Sequence, residues 1–379
     1  MTFELTKEQK LLVKMVKDFA QNEVAPLAEE IDRTGEFPMD LVKKMAKIGL
    51  TGLNIPKEYG GAGMNEVCKV LAISEIAKAC SSTAEFFAVQ LLVNAIIVEN
   101  GNKEQKEKYL KWALEGGIGA FALTEPGAGS DAGGLQTTAD LDGDEYVLNG
   151  SKCFISNMGP NEGDYAVVIA LTDCAKKTRG MTAFLVDRDT PGFIVGKTEE
   201  KMGICGAAVS ELIFEDCRVP KSAVLGKVGS GFKVAMSGLD GGRVGIAAQA
   251  CGEGQAALTL ATEYAKQRIQ FNKPISAKQG IQWYLAEMAT ELRAAMLMTL
   301  EAADLRDRKE PAGMAASMAK FMAAETAVKV AGKAVQIHGG YGFIKDYAIE
   351  RIYRDSRILT IYEGTSEVQK VVIAKELLK

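Results

Sequence analysis

The sequence predicts an α+β protein whose helices and strands are segregated: an α-helical domain over residues 1–118, a small sheet or β-barrel over 119–226, and a helical bundle over 227–379. Three observations carry this. Apolar residues recur every three or four positions from residue 6 to about 112, the spacing of one helix face. From about 119 to 226 the period shortens to two and turn residues come every several positions; from 231 the helical period returns. Helices, then strands, then helices is the order of separately packed units rather than an alternating βαβ sheet, and no GxGxxG follows a strand, which disfavours a nicotinamide-type dinucleotide fold. A chain of 379 residues is long enough to be shared among several cores.

Each element has its own signal. Thr6 followed three residues on by Gln9 reads as a capping box, and Leu12, Met15, Val16 and Phe19 then form one stripe. Pro38 starts a further helix bearing Leu41, Met45 and Ile48, while Gly49, residues 56–63 and Asn100-Gly101 mark loops. In the middle unit Asp142-Gly143-Asp144 links Thr137-Thr-Ala-Asp-Leu141 to Tyr146-Val-Leu148. Residues 165–172 and 181–186 are apolar or β-branched runs, and Ser210 to Phe214 precedes Val219-Pro220. In the third unit Leu285, Met288 and Leu292 share a face, and an Ala- and Met-rich helix runs from about Ala312 to His338, its stripes being packing surfaces.

Composition excludes several functions. An apolar fraction of 47% and a charged fraction of 25% are those of an ordinary folded protein. A net charge of -4 with scattered Lys and Arg gives no field for nucleic acid. The longest apolar stretches, such as Ala88 to Val98 interrupted by Gln90 and Asn94, fall short of a membrane span, and the first residues lack the apolar core of a signal peptide. A cytoplasmic protein without a nucleic-acid or membrane partner is expected. The seven cysteines are spread wide with no CxxC pair, so reduced thiols and no metal site are expected. His338 is the single histidine, and any Ser/His/Asp triad would have to use it.

Four clusters carry chemistry. In Phe121-Ala-Leu-Thr-Glu-Pro-Gly-Ala-Gly-Ser-Asp131, Gly127 and Gly129 free backbone N–H groups while Thr124 and Ser130 add hydroxyls, a set suited to a phosphate or a flavin edge; an ordinary Pro-Gly turn is the competing reading. Leu239-Asp-Gly-Gly-Arg243, with Ser237 close by, places a cation and a carboxylate around two glycines just before a helix; Arg243 can hold a phosphate, or the pair is a solvated helix start. Arg268 and Phe271 offer a cation and an aromatic face. Gln336-Ile-His-Gly-Gly-Tyr-Gly342 breaks a long helix, and beyond it Glu363 follows the apolar run Ile358, Leu359, Ile361, Tyr362. Burial there raises a carboxyl pKa toward that of a general base, and a helix-capping acid is the equal alternative. Gly364 permits close approach of a ligand, and Thr365 or Ser366 can cap the last helix.

These segments together resemble the acyl-CoA dehydrogenase family over essentially the whole chain. The resemblance rests on Leu123-Thr-Glu-Pro-Gly-Ala-Gly-Ser-Asp131, Asn149-Gly-Ser-Lys152, Lys201-Met-Gly203, Arg268 with Phe271-Asn-Lys-Pro274, Gln336-Ile-His-Gly-Gly340 and Ile361-Tyr-Glu-Gly-Thr365, in the family's order and spacing. It implies an N-terminal α domain, a central β domain and a C-terminal four-helix bundle. It implies FAD, held by Phe121, Leu123, Thr124, Gly129 and Ser130 on one segment and by Phe154, Ile155 and Ser156 on another. Thr124 and Ser156 would neighbour the flavin ring, and Phe154 stands where many members have tryptophan. Arg268, Phe271, Gln336 and Gly340 would reach FAD across a subunit interface, typically of a homotetramer, Gln279 and Gly339 would also bind FAD, and Thr365 and Glu367 would complete the site from the same subunit's last helix. Ser130, Asp240, Arg243 and Gly364 would contact the acyl-CoA or enoyl-CoA substrate, and Glu363 would be the catalytic base. The Tyr-Glu-Gly-Thr form favours the short- and medium-chain branch, closest to butyryl-CoA dehydrogenases, with an electron-transferring flavoprotein as redox partner. A reductase of an aryl-acrylyl thioester of caffeoyl-CoA type, an acyl-CoA oxidase and a non-catalytic flavin- or CoA-binding scaffold are the alternatives.

Overall fold

The computed structural model describes residues 4–379. Helix α1 (Lys7–Phe19) opens on the expected capping box: Thr6 Oγ1 accepts from the Gln9 N–H, and Gln9 Oε1 accepts from the Thr6 N–H. Leu12, Val16 and Phe19 are buried, whereas Met15 is on the exposed side. A π-turn over Ala20–Val24 leads to α2 (Ala28–Thr34), which stops where Gly35 takes a left-handed φ of 71°. Pro38 precedes α3 (Met39–Lys47), and α4 (Glu66–Ala77), α5 (Ser81–Asn100) and α6 (Lys103–Leu114) follow. Helix α5 corrects the sequence reading in length. It is a continuous 20-residue helix apolar enough to cross a bilayer, yet 83% of its apolar window is buried inside the protein. Gln90 and Asn94 do not interrupt it because they bond to each other at 3.0 Å, Asn94 donates to Thr51 O and Gln90 accepts from the Gly119 N–H.

Strand β1 (Gly119–Ala122) begins the central unit, followed by β2 (Thr138–Asp142), β3 (Glu145–Ser156), β4 (Tyr165–Leu171), β5 (Met181–Asp187), β6 (Phe193–Thr198), β7 (Val209–Pro220) and β8 (Val224–Leu225). They form one sheet in the order β6-β7-β3-β2-β4-β5-β8, with β1 beside β4. Only Thr138↔Leu171 joins β2 to β4. Yet Tyr146, Leu148, Leu212 and Phe214 from one half share a core with Val168, Phe184 and Val186 from the other, so the sheet folds over itself in a barrel-like way. The opposite face of β4 and β5, with Val167, Ile169 and Leu185, packs on α5 and α6. The two runs read as separate around 210–220 are one strand, because β3 pairs with β7 along its length and bulges at 148–150 and 152–155 absorb the mismatch.

The chain then returns to helices: α7 (Gly231–Gln267), a short hairpin of β9 (Ile269–Gln270) and β10 (Lys273–Pro274), α8 (Gln279–Asp307), α9 (Gly313–His338), α10 (Ile349–Ser356) and α11 (Ser366–Leu377). Helices α7, α8, α9 and α11 make the four-helix bundle. Small residues let them approach closely: Ala257, Ala261 and Ala265 of α7 meet Ala331 and Ala334 of α9, with Met288 and Leu292 of α8 filling the gaps. Asp240 and Arg243 do not precede a helix, as the glycine pair between them suggested. They lie in the third and fourth turns of α7, and the bare Gly241 and Gly242 backbone is used for side-chain contact rather than for a turn.

Candidate active site

Glu363 sits in a turn between a 3-10 segment (Arg357–Thr360) and α11, with φ of 53° followed by 92° at Gly364. A left-handed non-glycine costs on the order of 1–3 kcal/mol and persists only when its surroundings fix it. Here Gln369 Nε2 donates to Glu363 O at 3.2 Å and to Gly364 O at 2.8 Å, and Lys320 Nζ donates to Gly364 O at 2.8 Å. Tyr362 OH donates to Gln249 Oε1 of α7 at 2.8 Å. The carboxylate is thereby laid over α7, where a methyl built on Gly242 would stand 2.4 Å from Glu363 Oε2.

The residue is half-buried, but Oε2 is out of contact with solvent and has no hydrogen-bond partner. It therefore does not cap α11. That work is done by Thr365, whose Oγ1 accepts from the Val368 N–H at 3.3 Å. Burial pushes the Glu363 carboxyl up to about 7, against the pull of Arg243, Lys320 and Lys69 and with the help of the Glu85 charge. The three cations are themselves buried. Arg243 pairs with Asp240 at 2.7 Å, Lys69 with Glu66 at 2.6 Å, and burial drives Lys320 down to about 8. A carboxyl that ionises near neutrality, with an unfilled oxygen in dry surroundings, is equipped to take up and return a proton.

The Leu123–Ser130 segment is held by a buried ion pair. Lys152 Nζ lies 2.7 Å from Glu125 Oε1 and donates to Leu123 O at 3.1 Å, while Glu125 accepts from the Gln136 and Thr137 N–H groups. Burial opposes the Glu125 charge, but the ammonium outweighs it and holds the carboxyl low; burial draws Lys152 down despite its partner. The Cys153 N–H donates to Thr124 O at 2.9 Å, which brings Thr124 beside Phe154–Ser156. Phe154, at a bulge with φ of 57°, projects outward and is 67% exposed. Phe121 is half-buried, Gly129 and Ser130 are exposed, and a Cβ on Gly127 or Gly129 would meet only open space. Leu123 and Ile155 turn their side chains into the cores.

A second group assembles elsewhere. Arg268, Gly339 and Gly340 line a cavity of about 500 Å³ with Tyr264, Ile275 and Tyr341, and none of the Phe121–Ser130 or Phe154–Ser156 residues lines it. The Arg268 guanidinium stacks 5.3 Å from the Tyr341 ring. Phe271, 86% exposed, stands on the β9–β10 turn; Gln279 begins α8 and Gln336 lies in the last turn of α9, both exposed. Glu367 is exposed in the first turn of α11. His338 is no triad base: it is buried against Tyr264 with ring centroids 4.3 Å apart, and its Nδ1 is 2.7 Å from Ala334 O. Among the described residues no group of His, Cys, Asp and Glu could hold a metal ion.

Sequence reasoning missed Glu85, Lys69, Lys320 and the Tyr362–Gln249 pair. The available signal was a charge inside an apolar helix, Glu85 within residues 83–97 and Lys320 within the Ala/Met stripe.

Fold and site define a class: a protein of helical, β and four-helix units with an enclosed carboxyl in the turn before its final helix. Comparison with known proteins agrees. Family models described as the N-terminal, middle and C-terminal domains of acyl-CoA dehydrogenase match residues 6–117, 120–217 and 229–378, and the chain belongs to that family. It is 52% identical to an acryloyl-CoA reductase (NADH) of Anaerotignum propionicum, over all of this chain and 96% of that protein. It is 48% identical to a subunit of the caffeyl-CoA reductase–Etf complex of Acetobacterium woodii, over 99% of each. The structure of butyryl-CoA dehydrogenase from Megasphaera elsdenii superposes with a TM-score of 0.97 at 42% identity, covering 100% of both chains. The chain is thus an oxidoreductase acting on CH–CH bonds, in a family of flavoproteins.

Proposed function

We propose that the protein interconverts a short-chain acyl-CoA and its 2-enoyl-CoA with FAD as cofactor, Glu363 moving the proton at the carbon next to the thioester carbonyl. The observation that carries this is the enclosed, unpartnered Oε2 of Glu363, poised to ionise at about 7. A scaffold that only bound a ligand would gain nothing from a strained, dry carboxyl at that point. The residues present fit a flavin: Thr124 O bonds the Cys153 N–H, next in the chain to Phe154–Ser156, and Gly127 and Gly129 leave open space where a side chain would go. When bound, FAD supplies the acceptor for the hydride. The chain's own part is then to orient the thioester through Arg243, Asp240, Ser130 and Gly364 and to stabilise charge on its carbonyl oxygen with the Glu363 backbone N–H. Glu363 accepts the proton in the oxidative direction and returns it in the reductive one.

The remaining assignments belong to the same reading. Arg268, Phe271, Gln279, Gln336, Gly339 and Gly340 serve the FAD of a neighbouring subunit in a homotetramer, which the separate cavity lined by Arg268, Gly339 and Gly340 and the exposure of Phe271 support. Thr365 and Glu367 complete the site, and residues 1–118, 119–226 and 227–379 are its domains. An electron-transferring flavoprotein is the redox partner, and the cytoplasm is the compartment. Relatives named for acryloyl-CoA and caffeyl-CoA reduction support the reductive direction.

The test is anaerobic titration of the purified flavoprotein with butyryl-CoA and crotonyl-CoA. Wild type should bleach with the first and, once reduced, recover colour with the second. Glu363→Gln should keep flavin and thioester binding and lose about 10²–10⁴ in rate, the usual worth of general acid–base catalysis. Undiminished reduction in that variant would remove Glu363 from the chemistry.

A further inference from the structure

Glu85 is an acid within the apolar helix α5, 2% exposed, and takes no part in the proton transfer given to Glu363. Its Oε1 lies 2.5 Å from Ser156 Oγ, while Oε2 is enclosed without a partner. The contact is fixed from both sides: Asn157, next to Ser156, donates from Nδ2 to Phe86 O at 3.1 Å, clamping the end of β3 onto α5. Few charged or titratable groups face Glu85: Lys201 from the loop after β6, and Tyr362 and Glu363 from the turn before α11. Burial pushes the Glu85 carboxyl up, Ser156 and Lys201 opposing it. Ser156 itself is half-buried, three residues along β3 from Cys153, whose N–H donates to Thr124 O at 2.9 Å.

We propose that Glu85 is a positioning residue that sets, by gaining or losing its proton, whether Ser156 offers the cofactor a hydrogen-bond acceptor or a donor. The inference rests on FAD occupying the place proposed above. A serine hydroxyl has one hydrogen and two lone pairs. When Glu85 is ionised, that hydrogen is committed to the carboxylate, and Ser156 shows only lone pairs outward. When Glu85 is protonated it can donate to Ser156 instead, and the serine hydrogen is free to point at the ligand.

The difference matters beside a hydride acceptor, because hydride uptake turns a ring nitrogen that accepts a hydrogen bond into an N–H that donates one. Protonated Glu85 therefore matches the oxidised cofactor and ionised Glu85 the reduced one. Reduction adds two electrons and a proton to the cofactor as hydride, and Glu85 releases its own proton to water. By linkage, its pKa is lower in the reduced enzyme than in the oxidised enzyme. Between those two values one fewer proton is taken up per two electrons. That is a tenfold change in the equilibrium per pH unit, or about 30 mV.

The measurement is the midpoint potential of the bound flavin, titrated anaerobically by absorbance from pH 5.5 to 8.5. Wild type should show a window in which the potential falls with pH less steeply, by about 30 mV per unit, than on either side. Glu85→Gln, a neutral isostere, and Ser156→Ala should both lose the window. Ser156→Thr, which restores the hydroxyl, and Glu363→Gln, which silences the other nearby carboxyl, should keep it. A profile without the window in wild type, or a window that survives Glu85→Gln or disappears in Glu363→Gln, overturns the proposal. A protein that binds no flavin at all overturns the proposed function, and this inference with it.

Discussion

At the scale of single residues, the charge on Glu363 is decided by a contest among neighbours from four elements. Burial and the Glu85 charge favour the protonated acid, while Arg243 on α7, Lys320 on α9 and Lys69 on α4 favour the carboxylate. The outcome, near 7, places the group where a modest change of pH moves it between base and acid. Under the proposed function the two directions of the reaction need opposite forms of Glu363. Flavin reduction by an acyl-CoA needs the carboxylate and should accelerate as pH rises through about 7; reoxidation by an enoyl-CoA needs the acid and should slow over the same range. Stopped-flow traces at saturating thioester read both limbs. Limbs that move in the same direction would show that another group limits the rate.

At the scale of elements, the Gly241-Gly242 pair shows how a helix can be shaped by its site. Glycine inside a helix costs about 0.5–1 kcal/mol relative to alanine, so Gly242→Ala should stabilise an ordinary helix by that amount. A methyl there meets Glu363 Oε2 at 2.4 Å and Cδ at 2.9 Å, atoms at the movable end of a side chain. The carboxylate should swing aside with little loss of stability. Melting temperature should hold or rise slightly while flavin reduction falls roughly 10²-fold, the effect of about 1 Å of misplacement. Full activity in the alanine variant would mean that Glu363 works from another position. This pair also marks where the sequence became opaque. Glycines adjoining a charge read as a helix start because local rules give them no other use, and the reasons they are tolerated lie far along the chain: a Cβ on Gly241 would meet the Arg306 guanidinium, and one on Gly242 the Glu363 carboxyl. Local signals were legible: Thr6 and Gln9 formed their capping box, and the two-residue period marked the β unit. Glu363 stood out through the apolar run before it, but its neighbours Lys69, Glu85 and Lys320 come from α4, α5 and α9, and Gln249, which holds Tyr362, comes from α7. Only tertiary packing assembles that set.

At the scale of the whole molecule, the three units are joined at α10. Arg354 holds Asp32 of α2 through two bonds of 2.7 and 3.0 Å, pairs with Glu350, and donates to Met202 O in the loop between β6 and β7. The loop is wedged tightly there, for a Cβ on Gly203 would lie 2.6 Å from Arg354 backbone atoms. This accounts for a Lys201-Met-Gly203 motif that supplies no obvious chemistry of its own. The adjacent Asp355 is buried, accepts from the Ile204 N–H at 2.5 Å and lies near Glu253, itself pushed up by burial and by the Asp355 charge. Burial raises Asp355 to about 7, compared with about 3.9 for an unfolded aspartate. The sign follows. Between those values the folded protein keeps a proton that the unfolded chain has released, so this group lowers stability as pH rises from about 4 to about 7. Above 7 the loss is complete and constant. Asp355→Asn cannot ionise, and its amide oxygen keeps the bond from Ile204. Relative to wild type, the variant should gain thermal stability progressively from pH 5 to 7 and hold that gain above it. Scanning calorimetry across pH 5–8 reads the difference, and a variant whose stability runs parallel to wild type over that range would show that Asp355 is already ionised in the folded protein.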